Sequence, residues 1–274
     1  MKKLFLVTTL FIFYGNLLIA QTTKSLKKSL ELRMPKDAGD ADAGSNGASV
    51  VWHPVQNKYY AAMAGNIKYP LAVFNETGKR LSSENMVTSV DLRGLWYNPI
   101  KKTLCGNGYG SIGWFHYILD PKGTVLNVDT DIQDMAQPNN QCVGTFNTGS
   151  NEVMFLNGNR VSLYSNIGSL NKDINLRLGL TEKDDIGEKF QSSDETPEEY
   201  NYTSVIYTGQ KGAELGLLNI EKNQIELYDF ETGFLTSVLK VPESQVIYPA
   251  FCFAFSNGQY WLYNKETRIW TSYK

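Results

Sequence analysis

Residues 91–99 hold the densest group of chemically versatile side chains in the sequence. Within this stretch Asp91 supplies a carboxylate, Arg93 a guanidinium, Trp96 an indole and Asn98 an amide. An indole face can stack on a sugar ring while the polar groups hydrogen-bond the hydroxyls of that ring. The stretch therefore predicts a binding site for a polar or sugar-like ligand.

Three further polar side chains are candidates for the same site. Asn107 and Tyr109 lie in a glycine-rich run that has no Lys-Ser/Thr ending and opens no helix, which excludes a phosphate-binding loop. Gln141 ends an amide-rich segment further on. The predicted ligand-binding set is Asp91, Arg93, Trp96, Asn98, Asn107, Tyr109 and Gln141. The alternative is structural, with Asp91 paired to Arg93 and Trp96 packed between neighbouring sheets.

No residue of the sequence is assigned a catalytic role. Only two histidines occur, His53 and His116, so a histidine-rich metal site is excluded. His53 stands beside a proline, where packing in a turn is favoured over catalysis. The remaining catalytic alternative uses Asp91 as a general acid or base, with Arg93 orienting a carbohydrate substrate.

Two groups of carboxylate and amide oxygens have the chemistry that calcium prefers. Neither matches the spacing of the EF-hand loop, because Gly44 and Gln133 interrupt it. No metal site and no cofactor are therefore assigned. The two groups are Asp37, Asp40 and Asp42 with Asn46, and Asp129 and Asp131 with Asp134.

The N-terminus has the pattern of a secretory signal peptide. Lys2 and Lys3 precede a mostly apolar run that ends at Ala20. We expect cleavage after Ala20, with no cysteine at the junction to accept a lipid. The apolar run is shorter than the ~20 residues that span a bilayer, which disfavours a membrane anchor. Residues 1–20 thus predict a secreted or periplasmic protein of bacterial type, with no membrane span after cleavage.

Composition narrows the class of protein further. A formal charge of −2 argues against a nucleic-acid binder, which usually has a basic face. The 42% hydrophobic content is enough for a core, and the abundant Tyr and Phe are typical of strands. Cys105, Cys142 and Cys252 are too widely spaced for a disulfide framework. We expect three buried thiols, with a Cys105–Cys142 bridge as the alternative.

Short strand-like runs recur along the chain about every 45 residues. Trp52 and Trp96 stand 44 residues apart, and Pro54 and Pro99 stand 45 apart. Each copy contains three or four runs separated by Gly, Asn, Asp or Pro, and turn residues mark its late hairpin. Three weaker copies follow, at residues 143–164, 204–236 and 251–270.

This pattern resembles the β-propeller superfold, in which units of four strands repeat every 40–50 residues or so. The marks of WD40 and kelch repeats are absent, so no specific family is identified. We predict an all-β fold of five four-stranded blades, with six as the rival count, in one domain over residues 49–274. A sandwich or two small β domains is the alternative fold.

Two segments lie outside the predicted repeats. Residues 21–48 hold a closing strand, at 26–34, that would pair with the last copy and complete the ring, followed by a Gly/Ala/Asp-rich linker. Residues 177–202 form an insertion between the third and fourth blades, and eight acidic residues and two lysines lie between Glu182 and Glu199. We expect the insertion to be a surface excursion.

The resemblance implies that a ligand binds at the mouth of the central channel, which the innermost strands line. The innermost residues would come from 51–54, 91–98, 141–146, 204–208 and 246–250. Asp91 is the one well-placed acid, because the other copies begin with the apolar pairs 50–51, 142–143, 205–206 and 246–247. A glycoside hydrolase needs two converging carboxylates, so this scarcity of acids argues against that class of enzyme.

We therefore predict a monomeric binding or interaction module for a small molecule, a glycan or a protein partner. Nucleic acid is not expected as a partner. The alternatives are a carbohydrate-active hydrolase or lyase that uses Asp91, and a structural component of an envelope complex.

Overall fold

The computed structural model describes residues 22–35, 46–184 and 191–274, and these ranges are almost entirely strands and turns. Helix is confined there to two single 3-10 turns, Gly110–Ile112 and Glu182–Asp184. The strands are β1 (Thr22–Ser25), β2 (Lys28–Arg33), β3 (Gly47–His53), β4 (Lys58–Met63), β5 (Leu71–Phe74), β6 (Leu92–Asn98), β7 (Thr103–Gly108), β8 (Trp114–Leu119), β9 (Val125–Ile132), β10 (Thr145–Asn147), β11 (Glu152–Asn157), β12 (Arg160–Tyr164), β13 (Leu170–Asn175), β14 (Ile206–Tyr207), β15 (Leu215–Asn219), β16 (Gln224–Tyr228), β17 (Leu235–Lys240), β18 (Phe253–Ser256), β19 (Gln259–Asn264) and β20 (Ile269–Tyr273).

These strands form five sheets arranged as a ring, which confirms the five-bladed β-propeller. Blade 1 is β3–β5, blade 2 is β6–β9, blade 3 is β10–β13, blade 4 is β14–β17 and blade 5 is β18–β20. The first strand of each blade is innermost, and the innermost strands contact one another in the cyclic order β3, β6, β10, β14 and β18. The six-bladed and sandwich alternatives are therefore wrong.

The N-terminal segment closes the ring, as the sequence predicted. β2 pairs antiparallel with β20 and becomes the outermost strand of blade 5, with Leu32 opposite Trp270. Both side chains are fully buried. The preceding β1 was not foreseen: it adds in parallel to β17, so that blade 4 has a fifth strand. One short stretch of chain thus covers the outer edges of two neighbouring blades.

Blade 1 has three regular strands, and an irregular segment replaces the fourth. Leu81 N donates to Val73 O at 2.7 Å and Leu71 N donates to Met86 O at 3.1 Å. The outer edge of β5 is therefore satisfied by chain that does not adopt regular strand geometry. Backbone groups on a sheet edge need such partners when water cannot reach them.

Blades pack face to face, so their middle strands are apolar on both sides. In β4 the ring of Tyr59 lies 4.6 Å from that of Trp52 and 5.2 Å from that of Trp261, which joins blades 1 and 5. The residues of β16 and all but the last of β19 are buried as well. This double-sided burial explains why the apolar runs of the sequence do not alternate.

The predicted innermost residues are correct for four blades and wrong for the fifth. In blade 5 the innermost strand is β18, whereas residues 246–250 belong to the connection from blade 4. Asn257 and Gly258 form a two-residue turn with positive φ values of 52° and 67°, and this turn ends β18. Such a turn fixes the register of its hairpin and places the innermost strand later in the chain.

All three cysteines are buried free thiols, as expected, and the alternative Cys105–Cys142 bridge is not formed. Burial raises the pKa of Cys105, Cys142 and Cys252 to about 12. They act as small core residues at neutral pH.

Several predictions concern residues outside the described ranges. These are the signal peptide at residues 1–20, most of the linker, the aspartates of the first calcium group, and residues 185–190 of the acidic insertion. The described part of the insertion contacts both neighbouring blades: Ser193 N donates to Asn159 Oδ1 of blade 3 at 2.8 Å, and Asn201 N donates to Leu218 O of blade 4 at 2.8 Å. None of the described helical turns has the length or apolar character to cross a membrane.

Candidate functional site

Four of the seven predicted site residues come together where β6 begins. Arg93 Nη1 lies 2.5 Å from Asp91 Oδ1, and Arg93 Nε donates to Gln141 Oε1 at 3.0 Å. The guanidinium also stacks over the ring of Tyr109, 4.6 Å from its centroid. The Arg93 side chain is only 8% exposed. This cluster links β6, the β7–β8 loop and the segment before β10, as the structural alternative described for Asp91 and Arg93.

Asn107 is fully buried and joins blades 2 and 3. Its amide nitrogen donates to Gln137 Oε1 at 2.7 Å and to Cys142 O at 2.9 Å, while its oxygen accepts from Gly144 N at 3.0 Å. With these groups engaged, Asn107 has a structural role in the described molecule.

Trp96 and Asn98 lie toward the opposite end of β6. Trp96 packs edge-on against Trp114, 5.8 Å between ring centroids, in the core between blades 2 and 3. Asn98 Oδ1 accepts from the backbone nitrogens of Ile100 and Lys101 and so caps the β6–β7 turn. The seven candidates therefore do not form one constellation. Their role in ligand binding stays a prediction.

A ring of five hydrogen bonds joins neighbouring blades near the N-terminal ends of their innermost strands. Each bond joins one blade, or the residue leading into it, to the next blade, and the donor–acceptor distances are 2.9–3.2 Å. We call this set the hydrogen-bond ring. Its members are Leu95 N to Ser49 Oγ, Gly144 N to Asn107 Oδ1, Val143 N to Thr203 O, Phe251 N to Thr203 Oγ1, and Gly47 N to Phe251 O.

The channel is closed at the level of this ring. A methyl group built on Gly94 would lie 2.4 Å from Gly144 N, so only glycine permits β6 and β10 to approach this closely. Even eight strands in a closed barrel leave an interior that side chains fill, and five strands leave less. The Asp91–Arg93 cluster precedes the ring along β6 and is therefore separated from the rest of the channel.

A cavity of about 290 Å³ occupies the channel on the other side of the ring. Every innermost strand contributes to its walls, and each contributes one half-buried aromatic side chain. We call these five residues the aromatic collar. They are Trp52, Tyr97, Phe146, Tyr207 and Phe255.

The collar residues occupy equivalent positions in their blades. Trp52 is opposite Tyr59, one pair before the end of the β3–β4 hairpin, and Tyr97 occupies the same place opposite Leu104. Phe146, Tyr207 and Phe255 also stand one pair before the turn of their hairpins. Because each blade repeats the position around the axis, the five aromatic rings encircle the cavity.

The remaining lining is neutral. Among the described residues the walls contain no charged side chain. Hydroxyl and amide groups come from Thr145, Thr148, Thr208, Ser256 and Asn257. The innermost strands also lie at the edges of their sheets, so their inner edges present backbone N–H and C=O groups that the sheets leave unused.

Tyr207 keeps the cavity neutral at physiological pH. Burial raises the pKa of its phenol above the ordinary value of 10, and the nearby carboxylate of Glu214 raises it further. That carboxylate accepts from Gly212 N at 2.9 Å and from Phe230 N at 3.1 Å, which fixes the β14–β15 loop beside the cavity.

The sequence contains a signal for the aromatic collar, but an alignment of the copies on their tryptophans is wrong by one residue. Trp52 was paired with Trp96, whereas hairpin register makes Trp52 equivalent to Tyr97. Trp96 is the one candidate of the seven that lines the channel cavity, from its wall between blades 2 and 3. Aligning the copies on their turns, rather than on their indoles, would have shown an aromatic residue at each position.

His53 has the turn-packing role expected of it. Its Nδ1 accepts from Gln56 N at 3.4 Å in the β3–β4 turn, and its ring lies 4.8 Å from that of Tyr97. Burial lowers the pKa of His53, which favours the neutral imidazole.

One aspartate of the second calcium group contacts basic side chains. Asp131 pairs with Lys101 and, at 2.9 Å, with His116 Nδ1. Among the described residues there is no cluster of three potential metal ligands.

The fold and site define the class of protein as a β-propeller with one open channel cavity. No protein-family model matches the chain, and no curated protein sequence matches it. A glutaminyl cyclase from Myxococcus xanthus is similar in structure over 93% of this chain and 97% of its own, with a TM-score of 0.56 and 11% identity.

Two further solved structures resemble the chain more distantly. A gluconolactonase from Xanthomonas campestris covers 90% of this chain and 98% of its own, with a TM-score of 0.48 and 8% identity. A streptogramin B lyase covers 90% and 87%, with a TM-score of 0.46 and 14% identity. At such identities the likeness shows the fold alone, and the named activities belong to those proteins.

Proposed function

We propose that this protein is a binding module that holds a neutral carbohydrate in the channel cavity, without a chemical step. The aromatic collar is the observation that supports the proposal. Aromatic faces stack on the C–H faces of sugar rings, and hydroxyls with backbone N–H and C=O groups can satisfy the sugar hydroxyls. A charged ligand would find no partner among the described lining residues.

The same geometry disfavours a hydrolase or lyase that uses Asp91. A general acid or base must reach its proton at about 2.6–3.2 Å. Asp91 precedes the hydrogen-bond ring on β6, whereas the cavity lies beyond it, and its Oδ1 atom is already paired with Arg93. An enzyme in the cavity would need an acid that the lining does not provide.

We further propose that the protein binds its ligand as a monomer outside the cytoplasm, in the periplasm or beyond the cell. The basic and apolar pattern of residues 1–20 supports export. N-terminal sequencing of the exported protein tests this proposal, and a mature chain beginning at Gln21 is the expected result.

Titration calorimetry against a panel of neutral, acidic and basic saccharides tests the binding function. We expect a neutral saccharide to bind, and we expect Tyr97→Ala or Tyr207→Ala to weaken binding at least tenfold, about 1.4 kcal/mol. Tyr207→Phe, which keeps the ring, should retain most of the affinity. Thermal unfolding identifies any variant that fails to fold.

The matched control is Tyr202→Ala. Tyr202 is 51% exposed and precedes the hydrogen-bond ring, so its loss should leave saccharide affinity unchanged. Unchanged affinity in both collar variants would contradict the proposal. Turnover of the bound saccharide that disappears in Asp91→Asn would replace the binding module with the hydrolase or lyase.

A further inference from the structure

The channel cavity has one mouth. The hydrogen-bond ring closes it on one side, where neighbouring blades are so close that a methyl group on Gly94 would lie 2.4 Å from Gly144 N. On the other side the collar surrounds the axis, and Thr148, Thr208 and Asn257 follow the collar residues at the rim. A chain molecule that enters through the collar cannot pass through the propeller.

The cavity is also surrounded by blades in every direction perpendicular to the ring axis. Five blades supply its walls, so it is a pit on the ring axis rather than a groove that crosses the surface. Its volume of about 290 Å³ lies at the lower limit of the ~300–1,000 Å³ typical of sites for small ligands. The space suits one or two sugar rings.

From this geometry, and resting on the proposed function, we infer that the protein recognises the terminal unit of a neutral glycan rather than a stretch within the chain. The end unit enters the pit and contacts the aromatic collar. The following unit lies at the rim, where the hydroxyl group of Thr148 and the amide oxygen of Asn257 can hydrogen-bond it. The rest of the glycan leaves along the axis into solvent.

An interior unit cannot bind in this way. It has a neighbour on each side, and both would have to leave through the same mouth. The chain would need to fold back on itself between collar residues of opposite blades, because the blades surround the cavity and the hydrogen-bond ring joins them at its other end. End recognition therefore follows from the ring of blades itself.

The experiment uses the neutral saccharide found in the panel, prepared as a series of linear oligomers of increasing length. We expect the affinity measured by calorimetry to rise until two or three units are present and then to stay level. The stoichiometry should remain one protein per chain at every length. For long polymers of the same linkage, the amount of protein bound per unit mass of polymer should be inversely proportional to chain length, because each chain has one binding end.

A cyclic oligosaccharide of the same linkage is the decisive comparison, because it has no ends. We expect its affinity to be at least tenfold weaker than that of the linear oligomer of equal length. Reducing the linear oligomer to its alditol then identifies which end enters the pit, since only one of the two ends is changed.

The outcomes separate the two proposals. Equal affinity for the cyclic and linear forms, or several proteins bound along each long chain, would overturn end recognition while leaving carbohydrate binding intact. Absence of binding to every saccharide in the panel would overturn the proposed function. Binding that is insensitive to Tyr207→Ala would place the ligand away from the collar and would also overturn end recognition.

Discussion

At the scale of single residues, burial gives an ionisable side chain a structural role in this protein. Glu226 lies in the middle strand of blade 4 and is fully buried. Its Oε2 accepts from Tyr228 at 2.6 Å and from Tyr200 at 2.8 Å, and its Oε1 accepts from Gln224 at 2.6 Å and from Asn219 at 3.1 Å. Burial, together with this carboxylate, raises the pKa of Tyr228 well above 10 and also raises that of Tyr200. The phenols therefore remain donors.

We predict that Glu226→Gln lowers the free energy of unfolding by about 2–3 kcal/mol. The carboxamide replaces one acceptor oxygen with a donor nitrogen, which then faces hydrogen-bond donors inside the blade. Urea denaturation measures the change, and Glu221→Gln in the exposed β15–β16 turn is the matched control. A loss no greater than in the control would mean that the buried network does not contribute to stability.

At the scale of elements, the N-terminal segment is part of the fold although it precedes the repeats. β2 completes blade 5 and β1 extends blade 4. Between them Leu26 N donates to Lys240 O, and Lys27 N donates to Lys274 O, both at 2.9 Å. The N-terminal strands are thereby hydrogen-bonded to the C-terminal blades. They cover the outer edges of β17 and β20 where the ring closes.

We predict that Leu32→Ala lowers the free energy of unfolding by about 2–5 kcal/mol, the range for a buried leucine. Leu32 is fully buried against blade 5, whereas its neighbour Arg33 is exposed on the same strand. Arg33→Ala is therefore the control for changes in β2 that leave the core intact. Similar midpoints for the two variants in urea would show that the closing strand adds little.

At the scale of the whole molecule, a ring of five similar blades turns one position of the repeat into a surrounding wall. Each blade contributes one residue to the aromatic collar, and only the arrangement of the blades around the axis makes a cavity. The closed end results from the same convergence, because neighbouring innermost strands approach within hydrogen-bonding distance there. Because the blades themselves form the cavity walls, a change in the geometry of any blade alters the shape of the cavity.

We predict that saccharide affinity is independent of pH between about 5 and 9. The described lining contains no carboxylate, imidazole or amine, and the raised pKa of Tyr207 keeps this phenol neutral throughout that range. A phenol with a raised pKa loses its proton only at higher pH. Any decline in saccharide affinity should therefore begin above about pH 10. Calorimetry at several pH values checks this, and an affinity that titrates near pH 4–7 would implicate an acid or histidine instead.

Much of the fold could be predicted from the sequence because its determinants are local. Strand-like runs, turn residues and the spacing of Pro54 and Pro99 indicate the repeat, and the last copy, which is poor in an initial strand, points to residues 26–34 as the closing strand. The candidate site was less accessible. Asp91 and Arg93 were correctly expected to be close together, but the sequence could not show that they would lie across the hydrogen-bond ring from the cavity.

By itself, then, the sequence determined a five-bladed propeller with buried thiols and an N-terminal closing strand. Only the tertiary structure decided which side chains face the cavity. The physical reason is register: a shift of one residue turns a strand side chain to the opposite face of its sheet. Trp52 and Trp96 are alike in chemistry, but Tyr97 is the residue that hairpin pairing places with Trp52 in the aromatic collar.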